Sequence, residues 1–167
     1  MTSRPMSKAY SVEQLAMSRR SALLLGLAWT LASKTAEARD PRVQLKVWKD
    51  PLCGCCNEWI KHLEANGFMV SAVNESNKAV RASFGMPPRF ASCHTGVVDG
   101  YVIEGHVHAS DIKRMLKERP KALGLAVPGM PVGSPGMDGP DFDGQRDPYQ
   151  VFLVQIDGSS QVFSSYS

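Results

Sequence analysis

Val43-Gln44-Leu45-Lys46-Val47 leads through Trp48-Lys49-Asp50-Pro51-Leu52 into Cys53-Gly54-Cys55-Cys56. The first five residues alternate apolar and polar, the period of a half-buried strand. Asp50-Pro51 ends that strand. From Cys55 the period becomes helical: Trp59, Ile60 and Leu63 share one face, and Asn66-Gly67 is a C-terminal stop. Three of the chain's four cysteines therefore stand between a first strand and a first helix. Unpaired N–H groups and the dipole at a helix N-terminus favour anions, so a thiol there titrates below its usual pKa of about 8.5.

Working outward, Phe68 to Val73 reads as a second strand and Lys78 to Phe84 as a short helix closed by Gly85 and Pro87-Pro88. Gly96-Val97-Val98 and Tyr101-Val102-Ile103 flank Asp99-Gly100, a hairpin turn in which Gly accepts positive φ. Ser110-Asp111 is read as the cap of a helix reaching about Glu118. The order β-α-β-α-β-β-α predicts a thioredoxin-like α/β fold, a sheet with flanking helices. The stretch 121–148 is rich in Pro, Gly and Met and is expected to be a loop. Val151 to Ile156 and Gln161 to Phe163 form a C-terminal β-hairpin that extends or covers the sheet.

The first 38 residues have the order of a targeting segment. Ser18-Arg19-Arg20 is basic, Ser21 to Ala32 is apolar, and Ala36-Glu37-Ala38 has the form of a cleavage site. The apolar run is shorter than the roughly 20 residues of a membrane span. The predicted organisation is a signal peptide over 1–38, cleaved after Ala38, and one domain over 39–167. Met17 competes with Met1 as the start. Ser18-Arg19-Arg20 partly matches the twin-arginine export motif, with Ala22 where that motif prefers Phe. The leader holds five basic residues against Glu13 and Glu37, which is the whole formal charge of +3. The remainder is balanced, which argues against nucleic acid and anionic membranes as partners.

The fourth cysteine lies in Ala91-Ser92-Cys93-His94-Thr95 and should come near the first helix's N-terminus. Read as structural disulfides, only Cys53–Cys56 with Cys55–Cys93 is a comfortable pairing, and so tiny a Cys53–Cys56 loop is a poor staple. Read as redox chemistry, Cys53 attacks and Cys56 resolves, as in a thiol–disulfide oxidoreductase; Cys55 and Cys93 then invite side reactions. Read as a metal site, all four thiols are used. Crowded thiolates cannot all face one tetrahedral ion, but they can bridge several soft ions, above all Cu(I). His94, His106, His108, Met130 and Met137 are nearby candidate donors. His62 is read as a non-ligand, His108 ranks behind His94 and His106, and Met69 and Met115 are assigned to core packing. Asp138, Asp141, Asp143 and Asp147 lack the spacing of an EF-hand and read as a solvated loop.

Four segments together resemble the CopG-type family of exported proteins associated with bacterial copper resistance. They are Cys53-Gly54-Cys55-Cys56, Ala91 to Thr95, Val98 to His106, and Gly124 to Met137. The resemblance implies a thioredoxin-like fold, a periplasmic location and a role in handling copper there. It also implies Cys53, Cys55, Cys56, Cys93, His94, His106 and Met130 as ligands. His108 departs from the pattern, where proline is expected. The combined expectation is an envelope protein that binds Cu(I), in a polynuclear cluster, for copper resistance or homeostasis. Its expected partners are copper ions and other envelope copper-handling proteins, with no stable membrane insertion after cleavage. Cu(I)/Cu(II) redox cycling and a thiol oxidoreductase using the Cys53/Cys56 pair remain the two enzymatic alternatives.

Overall fold

The computed structural model describes residues 43–167; the expected leader, its cleavage after Ala38 and the choice of start lie outside the described residues. The described residues hold seven strands and three α-helices. They are β1 (Val43–Lys49), α1 (Gly54–Ala65), β2 (Phe68–Asn74), α2 (Asn77–Ser83), β3 (His94–Val98), β4 (Tyr101–Glu104), α3 (Ala109–Glu118), β5 (Gly124–Ala126), β6 (Tyr149–Val154) and β7 (Ser160–Tyr166). The strands form one mixed sheet in the order β2-β1-β3-β4-β5-β6-β7. The pair β1/β2 is parallel and β1/β3 and β3/β4 are antiparallel, the thioredoxin-like arrangement expected from the element order.

This topology brings remote segments together. β1 ends where its antiparallel neighbour β3 begins, and β3 begins where β4 ends. β5 runs parallel to β4, so both finish on that same side. The residues after β1, before β3, after β4 and after β5 therefore meet at one end of the sheet. These are the segments that carry Cys53 to Cys56, Cys93, His106 and Met130.

Alternate residues of β4, β5 and β6 supply two apolar layers. Ile103, Leu125 and Leu153 pack with Trp59, Leu63, Ile112 and Met115. Val102, Ala126 and Val154 pack with Met86 and Phe90 on the other face. The Asp99-Gly100 turn has φ of 48° and 86°, the double positive that a tight hairpin requires. The terminal hairpin does extend the sheet, through β5/β6 pairing.

Three expectations need correction. The stretch 121–148 is not simply a loop: Gly124–Ala126 is a strand between β4 and β6, and Pro140–Phe142 is a 3-10 turn. A three-residue strand is too short to show a period. Gly124 lies against Val102 at φ 158°, where a Cβ would fall 1.8 Å from the Val102 carbonyl oxygen. The second correction is α3, which starts at Ala109 after His108; its first N–H is received by His62 Nε2 at 3.1 Å, not by Ser110. The third is Met69, which is only half-buried and receives a hydrogen bond from Gln44. Met115 is fully buried as expected.

Candidate metal centre

At the shared end of the sheet, the Sγ atoms of Cys53, Cys55, Cys56 and Cys93 all lie within 4.8 Å of one another. Cys53 and Cys56 are joined in a disulfide, while Cys55 and Cys93 are free thiols. Cys55 Sγ is 3.5 Å from Cys53 Sγ and 3.9 Å from Cys93 Sγ. The sequence grouped these sulfurs correctly, and in this state two of the four expected ligands are engaged with each other.

A second donor group shares Cys93. The ligand atoms of Cys93, His94 and His106 also lie within 4.8 Å of one another. His94 Nδ1 is 3.3 Å and His106 Nε2 3.1 Å from Cys93 Sγ. The far nitrogen of each ring faces a carbonyl: His94 Nε2 at 2.9 Å from Gly105 O, and His106 Nδ1 at 2.8 Å from Pro135 O. A carbonyl only accepts, so both far nitrogens carry the proton, and both near nitrogens aim a bare lone pair at Cys93. Both rings are completely buried. Desolvation holds both below the usual imidazole pKa, which preserves those lone pairs. Trp59 fixes His94 further, with ring centroids 4.1 Å apart, while its own N–H donates to Val107 O at 2.9 Å.

Burial, followed by the adjacent Cys55 thiol, pushes the Cys93 thiol up to about 12. At neutral pH it keeps its proton unless a cation displaces it. That suits a ligand better than a nucleophile.

The segment after β5 folds over this group. Met130 Sδ is 3.9 Å from Cys55 Sγ. Gly136, at φ 87°, rests on α1 so closely that a Cβ would lie 2.6 Å from Cys55 O and 2.7 Å from Trp59 N. Beside Cys55 opens a cleft of about 550 Å³, lined by Gly54, Glu58, Asp138, Asp141 and Phe142.

The remaining candidates stand apart. His62 accepts from the backbone of α3, and His108 pairs with the Tyr149 hydroxyl at 2.8 Å and stacks on Tyr166. Met137 is held through its backbone to Ser134 and Gly133. Asp138, Asp141, Asp143 and Asp147 are exposed, as a solvated loop should be.

Sequence reading missed a polar group behind Cys93. Glu104 is fully buried and accepts from Ser92 N at 2.8 Å and Thr95 Oγ1 at 2.6 Å. Arg81 reaches it at 3.3 Å. Burial raises the Glu104 pKa, against the opposing pull of Thr95, Ser92 and Arg81. Lys49 is also buried, its ammonium on the Asp50 carbonyl that receives the Cys53 N–H. A charged residue inside a strand pattern was the only available signal for either.

A family model described as a protein of unknown function, DUF411, matches residues 90–137, which span Cys93, His94, His106 and Met130. Two solved structures, "Copper resistance protein copG" in forms 2 and 1, are each 48% identical to this chain with a TM-score of 0.69. Each alignment covers 75% of this chain, and 99% and 98% of the respective neighbour. A search of curated proteins finds no match. With the fold and near half of all aligned residues in common, this chain belongs to the CopG family of copper resistance proteins.

Proposed function

We propose that this protein binds Cu(I) in the bacterial cell envelope. Cys53, Cys55, Cys56 and Cys93 are the thiolate ligands, and His94, His106 and Met130 complete the shell. The observation that carries this reading is the mismatch at Cys93: one S–H proton faces two buried lone pairs. Without metal, one imidazole nitrogen goes without a donor, a cost of about 1–3 kcal/mol for a buried acceptor. A cation at that point satisfies both nitrogens and the thiolate together. Soft thiolate and thioether donors, with imidazole beside them, favour copper over hard ions. The solved neighbours are copper resistance proteins, which supports the same metal, and the leader-like segment 1–38 supports export to the periplasm.

Within this reading, Cys53 and Cys56 also hold redox equivalents. Two thiolates that each give one electron to a Cu(II) ion yield the disulfide and two Cu(I) ions, with Cys55 and Cys93 still free to bind them. Anaerobic Cu(I) titration of the reduced protein, followed by X-ray absorption, tests the assignment. The expected result is copper with sulfur and nitrogen neighbours and a short copper–copper vector. Reduced protein that takes up no Cu(I) overturns it.

One observation favours a second reading, a thiol–disulfide oxidoreductase: the disulfide Cys53–Cys56 sits at the N-terminus of α1. Cys55→Ser separates the two. A simple exchanger keeps its activity in that variant, whereas the copper stoichiometry of a metal site falls.

A further inference from the structure

α2 has no buried residue, so apolar packing does not explain its position. Its side-chain hydrogen bonds to the rest of the fold come from Asn77 and Arg81, four apart and hence on one helical face. Asn77 Nδ2 donates to Ser92 O at 3.2 Å and to Thr95 Oγ1 at 3.1 Å. Arg81 donates to Glu104 Oε1 at 3.3 Å. Glu104 in turn accepts from the Ser92 N–H and the Thr95 hydroxyl. Ser92 and Thr95 are the two residues that flank Cys93-His94. The segment is also tied to the next two residues of the chain after Glu104: Gly105 N donates to His94 O, and His106 Nε2 faces Cys93. Gly105 has no room for a side chain, since a Cβ would fall 2.6 Å from Ser92 Oγ.

We propose that Glu104, held by Arg81 and assisted by Asn77, is the positioning residue that fixes Cys93 and His94 in their ligand geometry. Neither Glu104 nor Asn77 contacts a sulfur; both act through the backbone and hydroxyl on either side of Cys93. One carboxylate binding both flanks removes the freedom that a lone cysteine between a loop and a strand would have. The inference rests on the reading of Cys93 as a ligand, but it concerns the thiol's placement and can be tested with and without metal.

The test uses the reduced full chain in five forms: wild type, Glu104→Gln, Asn77→Ala, Thr95→Val and Thr95→Ser. In the metal-free protein, iodoacetamide labelling is read separately at Cys93 and Cys55 by mass spectrometry. Glu104→Gln and Thr95→Val should speed labelling of Cys93 several-fold and leave Cys55 unchanged. Thr95→Ser keeps the hydroxyl and should match wild type. Asn77→Ala, at the rim of the bracket, should shift Cys93 in the same direction by less, and it keeps the test open if Glu104→Gln does not fold. In competition with a Cu(I) chelator, Glu104→Gln should weaken copper binding about tenfold, as loss of groups behind a ligand does. Equal acceleration at both cysteines, or wild-type rates at Cys93 in Asn77→Ala and Thr95→Val, overturns the proposal. If wild-type protein binds no Cu(I), the copper reading fails and the labelling alone decides the bracket.

Discussion

Cys93 is the one thiol common to both donor groups, within reach of Cys55 on one side and of two imidazole nitrogens on the other. Among the described residues, the polar contacts of the Cys55 thiol are all to sulfur: Cys53, Cys93 and Met130. Losing Cys93 therefore disconnects the nitrogen donors from the sulfur group, while losing Cys55 leaves the Cys93, His94 and His106 set whole. Cys93→Ser should weaken Cu(I) binding roughly a hundredfold, about 2.7 kcal/mol, and Cys55→Ser by clearly less. Chelator competition measures both, and equal losses would contradict a shared role for Cys93. At this scale the sequence told a good deal. Thiols and histidines announce themselves by chemical type, and the strand order brings them to one end of the sheet. Glu104 and Asn77 could not be read, because their function lies in which backbone groups they meet, and a single buried Glu carries no spacing signal.

The stretch between β5 and β6 shows how an element without a period can still be held firmly. It is pinned by close backbone approach: Gly136 lies directly on the first turns of α1. Gly136→Ala adds a Cβ where only backbone stands and places it at φ 87°, a combination that should cost about 2 kcal/mol. The segment should lift, carrying Met130 away from Cys55. Denaturant unfolding reads the stability, and the sulfur count in X-ray absorption reads the thioether. The same scale explains why the start of α3 was misplaced. Its cap comes from His62 on another helix, and no local motif encodes that. His62 is held below its usual pKa chiefly by desolvation. As pH falls, the unfolded chain takes the proton first, so this stabilisation is complete above about pH 6.5 and is lost as pH drops through the folded-state value. A protonated ring can no longer accept from Ala109 and faces the positive end of the α3 dipole. His62→Gln keeps an acceptor that does not titrate. Its Tm should therefore fall less than that of the wild type between about pH 7.5 and about pH 5. Comparing the two cancels the same-signed contributions of His94 and His106 and the opposite one of Glu104, while His108, whose pKa His62 also lowers, adds to the difference in the same direction. Parallel curves would show that His62 does not cap α3 in solution.

For the molecule as a whole, oxidation state decides how many donors are available. The disulfide occupies Cys53 and Cys56, leaving Cys55, Cys93, two imidazoles and one thioether. Reduction restores two soft thiolates within 4.8 Å of the other two. Any ion that binds only the native state stabilises it by RT ln(1 + [L]/Kd), about 2.7 kcal/mol at a hundredfold excess over Kd. In a domain of this size that corresponds to a rise of roughly 10 °C in Tm. The reduced protein should show a rise of that order with Cu(I), and the disulfide form less than half as much. Each rise must be taken from its own metal-free baseline, because closing so short a loop itself contributes about 2 kcal/mol through the unfolded chain. Anaerobic scanning calorimetry of both forms, with and without Cu(I), makes the comparison. Equal rises would mean that Cys53 and Cys56 do not bind copper. A larger rise in the reduced form ties copper affinity to the redox state of this pair, so that oxidation of Cys53 and Cys56 loosens the hold on the metal while Cys55 and Cys93 keep part of it.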